Sequence, residues 1–305
     1  MSSRTGLDVL AGRLWHAPTL LLSFAALSWS GNFIVGRAVR ESVPPVALSF
    51  WRWTVGLLII LAFAWPHLRR DWPALRRHWR ILLLLSAAGV SAFNTLIYLG
   101  LQSTTALNAV LMQSAMPLVI LLLSFLLHRE RTHAVQILGI AISLAGVAAI
   151  ASQGSLASLM ALSLNVGDAW VLAAVVSYAL YSTLLRHRPQ VHPLSFVAAS
   201  LALGAAMLLP LLGWEIAAGH TLTLNAAAVG AIAYVGLVPA VLAYLSFNRG
   251  VQLIGPNRAG QFMHLMPVFG SLLAVGLLGE RLELHHLLGI GLIAVGLLLG
   301  VRPRR

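Results

Sequence analysis

The sequence predicts an all-α integral membrane protein, ten transmembrane helices arranged as two inverted five-helix repeats. Three observations carry that expectation: continuous apolar runs, an internal duplication, and arginines gathered on alternate loops. Hydrophobic residues make up 59% of the 305-residue chain and charged residues only 9%, a balance foreign to an ordinary soluble domain. From Ala17 onward, apolar runs follow one another. Each is roughly twenty residues long, enough to cross a ~30 Å hydrocarbon core as a helix. The runs are continuous rather than alternating, which favours helices over a barrel.

The duplication is clearest around Met116. The chain reads Met116-Pro117, an apolar stretch, Glu130-Arg131, Leu138-Gly139-Ile140 and Gly146. The same order returns without a gap as Met266-Pro267, Glu280-Arg281, Leu288-Gly289-Ile290 and Gly296. Gly100 and Ala109 meet Gly250 and Ala259 in the same register. Apolar residues match by composition alone, so the placement of Pro, Glu-Arg and Gly is the signal of an internal repeat.

Taken in order, residues 1–16 form a short polar lead on the cytoplasmic side, and the first repeat occupies 17–151. Its spans are expected near Ala17–Arg37, Val46–Pro66, Ile81–Leu101, Ala106–Leu127 and His133–Ala151, with a basic loop after the second. A polar linker, 152–167, separates the halves. The second repeat, 168–301, places spans near Asp168–Leu185, Leu194–Leu212, Ala226–Phe247, Ala259–Gly279 and Leu284–Val301, and 302–305 is a cytoplasmic tail. Arg4 and Arg13 precede the first run without a small-residue cleavage site, so that run reads as an uncleaved span.

The arginines test this division. With ten spans and a cytoplasmic N-terminus, sixteen Arg fall on cytoplasmic segments. Arg37, Arg40 and Arg281 fall outside, and Arg52 lies within the membrane. That bias is the positive-inside rule at work, and moving one helix scrambles it. The net charge of +12 therefore reads as topology, and no nucleic-acid partner is expected. Every basic residue is Arg and none is Lys, a compositional hint of a GC-rich bacterial source; the expected location is the bacterial inner membrane. Five spans per repeat, an odd number, force the second half to enter with opposite orientation. That is the inverted-repeat device of transporters, in which two similar halves exchange conformations.

The ordered residues of both halves resemble the EamA-type, ten-helix branch of the drug/metabolite transporter superfamily. In the first half the resemblance rests on Trp29-Ser30-Gly31-Asn32-Phe33, Pro45 followed by Arg52, Gly100-Leu101, Met116-Pro117 and Glu130-Arg131. In the second it rests on Gly167-Asp168, Ser177-Tyr178-Ala179, Tyr181, Pro256-Asn257-Arg258-Ala259, Pro267-Val268 and Gly279-Glu280-Arg281. It implies a five-plus-five inverted fold, cytoplasmic termini and export of small metabolites. It also implies a central cavity lined mainly by spans one, three, four, six, eight and nine, with spans five and ten packed outside. One departure stands out: the first copy reads His128-Arg129-Glu130 where the family more often has Leu-Gly-Glu, a change expected at that turn and not in the fold.

The residues then offer a candidate cavity. Arg52 is several residues inside span two, where a charge costs about 3 kcal/mol, so it should face inward toward a partner. A structural ion pair and a substrate carboxylate or phosphate are both open for it. Trp29 and Asn32 share one face of span one, and Asn94 and Tyr98 one face of span three. Asn108 and Gln113 precede Pro117 in span four, as Gln261 and His264 precede Pro267 in span nine. Each proline removes a backbone donor and marks an expected helix break. Tyr178, Tyr181 and Tyr244 are candidate aromatic walls, with helix packing as the alternative. His264 is the histidine deepest in a span, suited either to proton relay or to a plain interhelical hydrogen bond. Asp168 fits a helix cap, and Glu130 and Glu280 fit interfacial ion pairs.

No cysteine is present, which excludes disulfides, thiolate metal sites and a cysteine nucleophile. No phosphate loop, nucleophile triad or metal-ligand set is visible, so no cofactor is expected. The reading is a secondary transporter, not an enzyme. It handles small metabolites or amino-acid-like, amphipathic compounds by alternating access, and the lipid bilayer is its other partner. A membrane enzyme on lipid-linked substrates and a structural subunit are the alternatives. Substrate gradient, exchange and proton coupling all remain open, as do transport direction and oligomeric state.

Overall fold

A computed structural model of the chain describes residues 14–104, 109, 112–130, 133–152, 165–278 and 283–300, and every regular element among them is helical. The first group comprises α1 (Pro18–Ala38), α2 (Pro45–Arg77), α3 (Trp79–Ser86), α4 (Phe93–Ser103), α5 (Met116–His128) and α6 (Ala134–Ala151). The second comprises α7 (Val166–Leu184), α8 (Pro193–Ala217), α9 (Ala226–Leu237), α10 (Ala243–Ile254), α11 (Pro256–Gln261), α12 (Leu265–Leu278) and α13 (Leu284–Gly300). π-turns at Ala87–Ala92 and Val238–Leu242 join α3 to α4 and α9 to α10, so each pair runs on as one rod. Among the described residues seven helices are long and apolar enough to cross a membrane, and Met112–His128 and Leu284–Gly300 are shorter apolar helices. The chain is a multi-pass helical membrane protein.

Helix α2 differs from the sequence reading. The basic loop expected after Pro66 is helix, continuing to Arg77 through Pro66 and Pro73. At 33 residues the rod is about 50 Å long and must protrude beyond a ~30 Å core. Its extension buries Leu75 and packs Leu68 on the core, while on its surface the Arg69 guanidinium lies 4.8 Å above the Trp65 ring. At its other end the first-turn backbone amides of Val46 and Ala47, which have no intrahelical partner, donate to the two oxygens of Glu215 at 2.9 and 2.8 Å. Glu215, near the end of α8, is thus buried as a cap for a neighbouring helix, where a carboxylate meets free N–H groups and the positive dipole end.

The start of α7 is closed by a reciprocal capping box. Asn165 is the cap and accepts from the Asp168 amide, while Asp168 accepts from the Asn165 amide at 2.8 Å and from the Thr104 hydroxyl. Asp168 therefore serves the helix end, as its position suggested.

The principal core lies between α1, α2, α7, α8 and α10, around Trp53, Tyr178, Phe196, Tyr244 and Phe247. Helices α6 and α13 form a separate pair with only a small shared cluster, Val147, Ile150, Val268 and Ile293. Their backbones approach closely at glycines. A Cβ on Gly139 would lie 2.6 Å from the Gly296 carbonyl oxygen, and one on Gly146 2.6 Å from that of Gly289. The reverse contacts hold as well, Gly289 meeting the Gly146 carbonyl and Gly296 that of Gly139. Small residues at a lipid-embedded crossing permit this approach, which supplies dispersion and weak hydrogen bonds where no hydrophobic drive exists.

The turn after α5 keeps its form despite the missing glycine. Arg129 adopts the left-handed region at φ 54, and its amide and that of Glu130 close onto Phe125 and Ser124 carbonyls. The other copy carries Gly279 at this point, which lies outside the described residues. A left-handed non-glycine residue costs about 1–2 kcal/mol. Arg129→Gly is therefore expected to raise the thermal midpoint by the equivalent of about 1 kcal/mol, read by unfolding in detergent.

Outside the membrane, His67 on the α2 extension stacks on His192 with ring centroids 3.7 Å apart, and Asp71 accepts from the His192 amide. Burial, then the neighbouring His67, holds the His192 imidazole below its ordinary value, against the opposing pull of Asp71. The unfolded chain takes up that proton more readily than the folded one, so stability falls as pH drops below about 6.5. Thermal unfolding at pH 7 and pH 5 checks this: His192→Asn should shrink the loss on acidification seen in the unaltered chain.

Candidate substrate cavity

The middle of α1 faces the space between α4, α5, α7 and α12. Trp29 and Asn32 from α1, Phe93 and Asn94 from α4, Tyr178 from α7, and Gln113 beside the start of α5 line a central cavity together with Met116, Met263 and Met266. It encloses about 20 Å³, which accommodates a single water. Its wall combines aromatic and thioether surface with three amide side chains, the composition of a small-molecule site. A larger vestibule of about 150 Å³ lies beyond it, between Gly36, Arg40, Pro45, Leu48, Tyr98 and Thr104.

Asn32 and Tyr98 meet between the two spaces, with Arg52 bonded to both from behind. The Tyr98 hydroxyl donates to Asn32 Oδ1 at 2.9 Å. Arg52 Nη1 donates to the same oxygen at 2.8 Å and to the Tyr98 hydroxyl at 3.3 Å. Asn32 lines the central cavity and Tyr98 the vestibule, so this small network is the partition between them. Arg52 is 2% exposed.

The aromatic residues pack as one cluster. Trp29 meets Tyr178 edge-on at 5.7 Å and donates from Nε1 to the Pro239 carbonyl at 3.1 Å. Tyr178 reaches the cavity, whereas Tyr181 and Tyr244 stack 5.4 Å apart behind it. The Tyr181 hydroxyl donates to Asn248 Oδ1 at 2.5 Å. The residues upstream of the two prolines point differently from one another. His264 is buried and bonds through Nε2 to the Ser114 carbonyl at 2.9 Å. Gln261 turns toward α13, donating to Gly300 and Asn257 carbonyls, and is not on the cavity wall. Asn108 lies outside the described residues, as do Arg131, Glu280 and Arg281.

Regular α-helix is interrupted just before both prolines, by a turn at Ala115 before Pro117 and a 3-10 turn, Phe262–His264, before Pro267. The π-turns were not legible in the sequence beforehand, although Pro239 inside an apolar run is the signal that marks one. The cavity methionines, Met116, Met263 and Met266, carry no mark in the sequence, being apolar residues in apolar runs.

On the opposite side from the vestibule, helix ends are tied together. Glu130 accepts from Arg186 and, at 3.1 Å, from Asn257 Nδ2. His128 and His187 meet Nε2 to Nε2 at 2.8 Å. These bonds join the end of α5 to the ends of α7 and the start of α11.

The model of the EamA-like transporter family matches the chain twice, over residues 17–152 and 165–302. The chain belongs to this family. The uncharacterized transporter YyaM of Bacillus subtilis is 27% identical over 283 residues, covering 92% of this chain and 91% of its own. A protein of Streptantibioticus cattleyicolor named as a probable terminal-alkyne amino-acid exporter is 26% identical over 260 residues, 85% of this chain and 84% of its own. A solved structure with a TM-score of 0.76 covers 93% of this chain and 96% of that one at 20% identity, a likeness of fold.

The absence of cysteine makes single-cysteine labelling clean. Asn32→Cys and Gln113→Cys should react with a small membrane-permeant thiol reagent, whereas His264→Cys should stay protected. Equal protection of all three would contradict the cavity as drawn.

Proposed function

We propose that this protein is a secondary transporter that exports small amphipathic, amino-acid-like metabolites by alternating access of the central cavity. In this reading ten spans form two inverted five-helix halves, residues 17–151 and 168–301. The observation that carries it is a pair of hydrogen bonds joining positions one repeat apart: Ser114 with His264 and Ser143 with Ile293, each separated by 150 residues. Equivalent positions of two copies can touch only at the symmetry axis that relates them. The reciprocal glycine contacts of α6 and α13 obey the same relation, since Gly139 with Gly296 maps onto Gly289 with Gly146. The π-turns also coincide in that register, at 87–92 and 238–242.

Two halves related in this way can exchange conformations and expose a fixed site to each side in turn. The vestibule on one side and the Glu130–Arg186–Asn257 tie on the other support an arrangement open toward the former and latched at the latter. The Arg-rich segments lie on the latched side, the cytoplasmic one in this reading, in a bacterial inner membrane with both termini cytoplasmic. His264, placed at the axis, acts as a packing bond rather than a proton relay. The three amides and aromatic wall suit an amphipathic solute, and the S. cattleyicolor exporter is consistent with an amino-acid-like one.

Proteoliposome flux across a panel of radiolabelled amino acids and amphipathic acids, with and without a pH gradient, tests the reading. Saturable flux of at least one solute is expected. Glu130→Gln should change the flux by several-fold without loss of folded protein, since it loosens the tie. Folded protein that moves nothing on the panel would count against transport.

A further inference from the structure

Arg52 is a buried cation without an anion. It lies seven residues beyond Pro45 in α2, about 10 Å along the rod from its start. The positive end of the helix dipole is at that same end and offers it nothing. No carboxylate among the described residues is paired with it, and the chain's eight acidic residues all fall at or beyond the ends of the apolar runs. Two neutral oxygens, from Asn32 and Tyr98, are its hydrogen-bond partners, and its Nε–H has none among the described residues. A guanidinium presents five N–H donors in a planar fork. A site so arranged leaves spare donors of that fork beside the partition between vestibule and cavity.

The Trp53 ring, 4.6 Å from the guanidinium, meets its face and not its donors, and a protein under selection for stability alone would still pair such a group, because a buried charge without an anion is strongly destabilising. We propose that Arg52 is the anchor for the carboxylate of the transported solute, reached from the vestibule as the Asn32–Tyr98 hydrogen bond opens. The inference rests on the transport reading and names its substrate class: a small amphipathic monoanion or zwitterion. One guanidinium balances one carboxylate, and charge-assisted, bidentate pairing is its strongest mode. The apolar part of the solute then lies against Trp29, Phe93 and Tyr178, with Asn94 and Gln113 left to meet polar groups. Because the anchor also bonds Asn32 and Tyr98, an arriving carboxylate competes for the donors that hold the partition shut. Binding and opening become one event.

Thermal unfolding of the purified full chain in detergent tests this without requiring flux. The probes are hexanoate with hexanamide, L-phenylalanine with L-phenylalaninamide, and inorganic phosphate. The carboxylates are expected to raise the midpoint and their amides not to, with the apparent affinity for the acids falling about tenfold or more in Arg52→Gln. Without ligand, Arg52→Gln should unfold no earlier than the unaltered protein, an outcome that a purely structural tie between α1, α2 and α4 would reverse. Asn32→Asp gives an independent reading, because it places a carboxylate beside Nη1. It should raise the unliganded midpoint and abolish the response to acids. Stabilisation by amides as strong as by acids, by phosphate alone, or by none of the probes would overturn the anchor. So would an acid response that survives in Arg52→Gln or Asn32→Asp. Acid binding without flux in proteoliposomes would leave the anchor standing and sink the transport reading instead.

Discussion

Hydrocarbon offers a backbone no hydrogen-bond partners, and this constraint governs most of what is unusual in the bundle. A regular helix satisfies itself, so each interruption must be answered from a neighbouring element. The Ser114 carbonyl, beside the turn at Ala115, is met by His264, and the Pro239 carbonyl, inside a π-turn, by Trp29. Residues that read in isolation as polar or catalytic candidates thus have a prior task. They stitch broken helices to one another, and what they leave unfilled in the middle is the cavity.

The same constraint sorts the charged residues into two kinds. Glu215, Asp168 and Glu130 are at helix ends, where amides or arginines meet them and the cost of burial is offset locally. Arg52 has no such answer among the described residues. The contrast is what makes it informative, because the buried carboxylates are met at helix ends while this cation lies beside the Asn32–Tyr98 bond between vestibule and cavity.

Much of the architecture was legible from residue order. Continuous apolar runs implied membrane helices, and Trp29, Asn32, Asn94, Gln113 and Tyr178 do converge on one cavity. Trp29 and Asn32 share one helical face by spacing, which sequence records directly. What escaped was set by neighbours rather than by the local chain. Gln261 turns to α13 because the Gly300 backbone comes within reach there, and nothing in its own segment says so. Tyr181 and Tyr244 pair behind the wall, a consequence of where α7 and α10 cross. The helical extension of α2 was hidden by arginines and prolines, which read as a loop when taken one at a time.

Arg129 carries a last lesson about timing. Its backbone is held where glycine would be at ease, on a segment of the Arg-rich side, while the counterpart in the other half keeps the glycine. A positive charge flanking a span is read while the nascent chain is threaded into the bilayer, before any tertiary contact exists. The left-handed strain arises only once the finished turn closes. Insertion and equilibrium folding therefore meet at the same residue at different moments, the charge bearing on the first and the backbone conformation on the second.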